Sequence, residues 1–184
     1  MTCVRCVVRH AVPGDHAAVQ RLHHELLCVK YGPRFFAAVF GDRRYTTLVA
    51  EVDGRVVGFC VFCRVWTALG GRNAVVADLY TLGVAEAQQH QGVGGELIER
   101  GCDEMEALGC DLVRLHCLAR NAPVRRFYAR HGFIEVEVVP GYYTFGPAPE
   151  AGVLLHRPLA PEPVSCLSYW WGAVRAALAD ALCD

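Results

Sequence analysis

Apolar and polar residues alternate in short runs along the first half of the chain, broken by stretches where apolar residues recur at helical spacing. Cys3 to His10 reads as a first strand. Pro13-Gly14-Asp15 then predicts a helix start with Asp15 as N-cap, and Ala18, Val19, Leu22 and Leu26 form its apolar face. Pro33 opens a second short helix carrying Phe35, Phe36, Val39 and Phe40. Leu48 to Glu51 and Arg55 to Arg64 flank Asp53-Gly54, a strong hairpin signal, and Gly70 to Asn73 turns the chain into a strand over Ala74–Val84.

The second half changes its rhythm. Leu97, Ile98, Met105 and Leu108 predict an amphipathic helix from Gly94 to Leu108, stopped near Gly109. Leu112 to Leu118 reads as a short buried strand, Pro123 to Arg130 as a helix ended by His131-Gly132, and Phe133 to Val139 as a strand. A Pro/Gly-bearing segment, Pro140–Gly152, leads to a final strand over Val153 to His156. A hairpin-rich first half followed by β-α-β-α-β predicts a three-layer α/β/α sandwich over residues 1–160. After the extended L-A-P-E-P-V, residues 161–184 read as a linker plus an amphipathic helix, with Leu167, Trp171, Val174, Leu178 and Ala181 on one face.

Composition narrows the function classes. A chain of 184 residues, 53% hydrophobic, can bury one sizeable core. Its net charge of −1, without a basic run, gives no electrostatic footprint for nucleic acid. Arg5 and Arg9 interrupt the apolar start, and nowhere do the roughly 18–20 apolar residues of a membrane span occur, so a cytoplasmic protein is expected. Ten cysteines then read as reduced core residues. Cys3/Cys6 and Cys60/Cys63 have C-x-x-C spacing, but residues three apart on a strand point to opposite faces, so no metal site is expected.

The most informative stretch is Asp78 to Glu99, D-L-Y-T-L-G-V-A-E-A-Q-Q-H-Q-G-V-G-G-E-L-I-E. It passes from strand to polar loop and turns through Gly92, Gly94 and Gly95 into a helix. Glycines let the backbone approach a ligand closely, while the helix start adds free N–H groups and the positive end of its dipole, so the turn suits a pyrophosphate. Glycines needed only for close packing would give the same pattern.

Gln89-His90-Gln91-Gly92-Val93-Gly94 meets Q/R-x-x-G-x-G/A, and Asn121, Phe127-Tyr128 and Gly132-Phe133 follow in order and spacing. With these motifs, residues 3 to 158 resemble the GNAT superfamily of acetyl-CoA-dependent N-acetyltransferases. The resemblance implies a mixed, mostly antiparallel central sheet with strands splayed at the acetyl-CoA site. It implies that Leu82, Gly83 and Val84 pair with the pantetheine arm, that Gln89 to Gly95 cradle the pyrophosphate, and that Asn121 and Tyr128 contact the cofactor. Tyr128 resembles the tyrosine that donates a proton to the leaving thiolate.

L-L-C-V-K-Y-G-P-R-F-F, T-L-G-V, L-H-C and P-G-Y-Y are similar to the E and F types of protein N-terminal acetyltransferase, which commonly act on peptides beginning with Met. That resemblance places Val29 and Tyr31 on a peptide-holding loop and Tyr142 and Tyr143 over the peptide slot, although ordinary loop packing also suits the tyrosines. It places His116 as the base, where a core histidine bonded to backbone is the alternative. The reaction implied is attack of a neutral amine on a thioester. An α-amino group with pKa near 8 is already about a tenth neutral at pH 7, so a modest base is enough. The E and F types carry a tyrosine where this chain has Asp78, while Tyr80, two residues on, shares its face. Lysine-modifying members carry a Glu at the place of Asp78. Asp78 with His116 is therefore expected to flank the amine, by ordering water or as a second base. His23-His24 are expected to face solvent. By the same resemblance the tail helix is either a peripheral anchor on the cytosolic face of Golgi membranes or a helix packed on its own domain. Lysine or small-amine acetylation, and a non-catalytic acetyl-CoA-binding module, stand as the other readings.

Overall fold

The computed structural model describes residues 6–27, 29–69, 72–145 and 147–159. Their order is β1 (Val7–His10), α1 (His16–Leu26), α2 (Pro33–Gly41), β2 (Tyr45–Val52), β3 (Arg55–Leu69), β4 (Arg72–Val84), α3 (Val93–Ala107), β5 (Leu112–Leu118), α4 (Ala122–Arg130), β6 (Ile134–Tyr143) and β7 (Glu150–Pro158). The seven strands form one sheet in the order β1-β2-β3-β4-β5-β7-β6. Only β4 and β5 run parallel; every other pair is antiparallel. The mixed, mostly antiparallel sheet expected from the sequence is the one observed.

Alternation along β2 and β3 decides which helices cover which face. Leu48, Ala50, Cys60 and Phe62 join Leu97, Ile98, Cys102 and Met105 of α3 in the larger core. Their neighbours Val49, Phe59 and Val61 turn the other way, onto Val19 and Leu22 of α1 and Val39 of α2. Neighbouring strand residues point to opposite faces, so each strand serves two helical layers. Six free cysteines lie among the described residues, four of them in the larger core as small apolar fillers. No described helix is long and apolar enough to cross a membrane.

Four local expectations change. Of the first strand expected over Cys3 to His10, Val7–His10 forms it and Cys6 does not, while residues 3–5 lie outside the described ones. Asp15 precedes α1 but makes no side-chain cap. Pro13–Asp15 forms a 3-10 turn first, and the carboxylate serves that turn, its Oδ2 accepting from the Val12 N–H at 2.8 Å and from Arg9 Nη1 at 2.7 Å. His23 is fully buried, not solvent-facing, because the first helix turns it inward among the rings of Tyr31, Phe35, Phe36 and Phe59. The strand expected to stop at Val139 runs on to Tyr143. A register irregularity between Val139 and Tyr143 absorbs Pro140-Gly141 as a bulge instead of a loop. The linker and helix expected over residues 161–184 lie outside the described residues.

Candidate active site

Strands β4 and β5 pair at only three positions, Val76–Leu112, Ala77–Val113 and Asp78–Arg114. Beyond Asp78, β4 continues to Val84 and β5 to Leu118 with no pairing between them. The wedge leads into a cavity of about 1070 Å³ whose walls come from β4, β5, β6, β7, α4 and the α1–α2 connection.

At the wedge, Leu82, Gly83 and Val84 pair with Cys60, Phe59 and Gly58 of β3, leaving their other edge open. The loop beyond is tied back to the strand, with Gln89 Nε2 donating to the Val84 carbonyl at 2.9 Å and Gln91 Nε2 to the Ala87 carbonyl at 2.8 Å. His90 and Gly92 both have positive φ, 61° and 88°, and Gly92 sits at the N-cap of α3. A β-carbon at Gly92 would be strained by that conformation. The first turn of α3 presents Val93, Gly94 and Gly95, with free amide groups. A β-carbon at Gly94 would lie 3.5 Å from Phe127, which lines the cavity, whereas Gly95 is crowded by His131. Thus Gly92 answers to the turn, Gly95 to packing, and Gly94 borders the wedge.

On α4, Asn121 Oδ1 accepts from the Val124 N–H at 3.2 Å and caps the helix. Tyr128 is buried and lines the cavity, and burial pushes its phenol well above the ordinary range, so it keeps its proton at neutral pH.

The other end of the cavity is built from side chains. On β5, Arg114, His116 and Leu118 share the cavity face, while Val113, Leu115 and Cys117 point into the larger core. His116 stacks on Tyr142 at 4.0 Å with the planes 11° apart. Its Nε2 is buried without a hydrogen-bond partner. Burial first, and the Arg114 charge second, lower its pKa from 6.5 to about 4. Asp78 is held by Arg114 through two bonds, Nε to Oδ1 and Nη2 to Oδ2, the second at 3.0 Å. Tyr80 is 43% exposed and leans toward Tyr45 and Phe35, with its pKa pushed up to about 12, chiefly by burial. Tyr31 stacks on Phe35 at 4.0 Å, and Tyr142 meets Tyr143 edge-on at 4.9 Å.

The structure therefore brings Val29, Tyr31, Asp78, Tyr80, Leu82 and His116 into one cavity with Asn121, Tyr128, Tyr142 and Tyr143. The turn from Gln89 to Gly95 stands beside it. Among the cavity residues that the sequence did not single out for the site are His23, Arg114 and His156. Arg114 was accessible through alternation, two residues before His116 on the same strand. Its pairing with Asp78 has no local signal. Among the described residues no group of three or more His, Cys, Asp or Glu is placed to hold a metal.

A family model, the acetyltransferase (GNAT) family, matches residues 16–133. The chain belongs to this GNAT family. It is 27% identical over 157 residues to the N-alpha-acetyltransferase of Sulfurisphaera tokodaii, covering 83% of this chain and 92% of the relative. It is 34% identical over 97 residues to the mycothiol acetyltransferase of Clavibacter michiganensis, covering 53% of this chain and only 29% of that longer protein. Among solved GNAT structures, Arabidopsis thaliana NAA60 in complex with acetyl-CoA aligns with a TM-score of 0.77 at 21% identity, over 84% of this chain and 99% of that one. The same protein in complex with a bisubstrate analogue aligns with a TM-score of 0.75 at 22% identity, over 83% and 97%. These likenesses establish the fold.

Proposed function

We propose that this protein transfers an acetyl group from acetyl-CoA to the α-amino group of peptide N-termini, with Met-starting peptides the first to test. One observation carries the reading: a single cavity joins the β4–β5 wedge to a tyrosine-lined slot, with His116 between them and its ring nitrogen unpartnered. The likeness to N-alpha-acetyltransferases over most of the chain supports it.

The residues present fit the cofactor. The open edge of Leu82–Val84 suits the amides of a pantetheine arm, the Gly92 turn and the free amides of α3 suit a pyrophosphate, and Asn121 and Tyr128 border the arm between them. Bound acetyl-CoA supplies a thioester, an acyl carbon open to a neutral amine. His116 is neutral at pH 7 and accepts the proton that the amine sheds, through a water that its free nitrogen can hold. Asp78, anchored by Arg114, sets the position of charge beside that water, and Tyr80 lies on the same face. Tyr128 keeps a proton available for the departing sulfur. Val29, Tyr31, Tyr142 and Tyr143 bound the peptide slot.

Acetyl transfer from acetyl-CoA to three substrate sets tests the reading: peptides with free N-termini, N-blocked peptides bearing lysine, and small amines. Turnover confined to the first supports it; turnover confined to either of the others, or none at all, rejects it. A small-amine reading has one observation in its favour, the match to a mycothiol acetyltransferase over half the chain. For the tail, a chain ending at Ala160 that co-sediments with membranes as well as the full chain would remove the proposed peripheral membrane role.

A further inference from the structure

Asp78, Arg114 and His156 occupy one row across three strands. Asp78 is the register partner of Arg114 across β4 and β5, and Arg114 that of His156 across β5 and β7. All three line the cavity. Asp78 engages one edge of the guanidinium, Nε and Nη2. A guanidinium carries five N–H donors in a rigid fork, so the edge formed by Nη1 and the second Nη2 hydrogen is left over. Among the described residues Nη1 makes no hydrogen bond, and the ion pair fixes the plane in which it lies.

The surroundings point the same way. In both His116 and His156 the ring Nε2 is buried without a hydrogen-bond partner among the described residues. A neutral imidazole that carries its proton on Nε2 offers a donor there, as His156 can beside Arg114. The cavity wall carries two cations, Lys30 and Arg114, against the single carboxylate of Asp78. Lys30 is occupied elsewhere, its Nζ donating to the carbonyls of His24 and Leu27 at 2.6 and 2.9 Å. Among the described cavity residues, that leaves the Nη1 edge of Arg114 as an open cationic donor.

We infer that Arg114, held in place by Asp78 and flanked by His116 and His156, is a specificity-determining residue that receives a carboxylate of the acceptor substrate. The source is an acidic side chain at the first or second residue of the peptide. This rests on the N-terminal acetylation proposed above. Arg114 lies two residues from His116 along β5, about 7 Å, a gap that a side chain of either residue spans when its amine is at His116. The carboxylate takes the free edge of the fork in a two-bond contact, the geometry in which arginine discriminates best.

The test compares peptides that differ by one atom pair. Glu is set against Gln at the first residue, and Met-Glu against Met-Gln at the first two, with free glutamate and free glutamine as a separate arm. For the full chain, kcat/KM is expected to favour the acidic peptide at one of these positions by about 10- to 100-fold, the range of a charge-assisted hydrogen-bond pair. In R114M, and in D78N/R114M, which leaves no lone charge behind, that ratio should fall to about one whatever the absolute rates. The ratio needs only residual turnover, and the wild-type comparison needs no variant. Equal rates for Glu and Gln peptides at both positions overturn the inference while leaving N-terminal acetylation standing. Transfer to the free amino acids with none to peptides overturns both, and a preference that survives in both variants assigns the discrimination to another group.

Discussion

The two ends of the cavity are made of different material. At the wedge, the groups proposed to face the cofactor are backbone: the open edge of Leu82–Val84, the left-handed Gly92 and the first amides of α3. At the acceptor end they are side chains from four elements, Asp78 on β4, Arg114 and His116 on β5, Tyr142 on β6 and His156 on β7. A backbone site depends on glycine positions close in sequence and tolerates change in most side chains around it. A side-chain site depends on cross-strand pairings, so a substitution on one strand needs an answer on another. The first end can serve a whole family with one cofactor, and the second can drift in substrate.

The sharpest way to break this comparison is to remove His116. In H116A, kcat/KM for peptide acetylation should fall by about 10²- to 10⁴-fold, the usual contribution of a positioned base, with little change in acetyl-CoA affinity measured by calorimetry. An equal loss in both would mean that the two ends are not separable.

The next effect comes from acid. His23 and His156 are buried and their pKa values are lowered from 6.5 to about 4, mainly by desolvation. The unfolded chain therefore binds their protons first, and stability is lost as pH falls from about 6.5 toward 4. Each histidine costs about 2 kcal/mol between pH 7 and pH 5. Urea unfolding at the two pH values measures this. His23→Phe, set among aromatic rings already, should remove part of the slope.

A smaller change is expected at the ion pair. Asp78 and Arg114 are 23% and 33% exposed at their side chains, so breaking the pair in D78N or in R114M should destabilise by about 1–3 kcal/mol, below the cost for a fully buried pair. The double variant should recover most of that in a urea titration, since no charge is left alone. Smallest of all, Gly92→Ala introduces a left-handed alanine costing about 1–2 kcal/mol. It should weaken acetyl-CoA binding several-fold while kcat at saturating cofactor moves least. A loss of kcat instead would place the turn in the chemistry.

The same contrast explains what could be read from the amino acids alone. Leu112–Leu118 was legible to the residue, because the run between turn signals is too short for a helix. Asp53-Gly54 was equally clear, and both residues take the positive φ of the hairpin turn that this dipeptide favours. The glycine turn before α3 declared itself by spacing. Pro140-Gly141 misled, because the same pair that usually makes a loop can be absorbed as a bulge when the partner strand offers room, here at Gly152 beneath Tyr142. His23 misled because a histidine pair on a helix looks polar, while only the packing of α2 shows which ring turns inward. The Asp78–Arg114 bond could not be read at all: it exists only once β4 and β5 lie side by side in register.

Gly101 has a consequence for tuning the protein from a distance. A β-carbon there would come within 2.3 Å of the Phe62 ring, so α3 rests on β3 at a point where no side chain fits between them. That point is about 14 Å along the helix from the turn at Gly92. Anything larger at position 101 must lift α3 or turn Phe62, and the helix carries its own N-terminus with it. Cofactor affinity is thereby adjustable by a residue that never meets the cofactor, much as the height of a bridge deck is set at its far abutment.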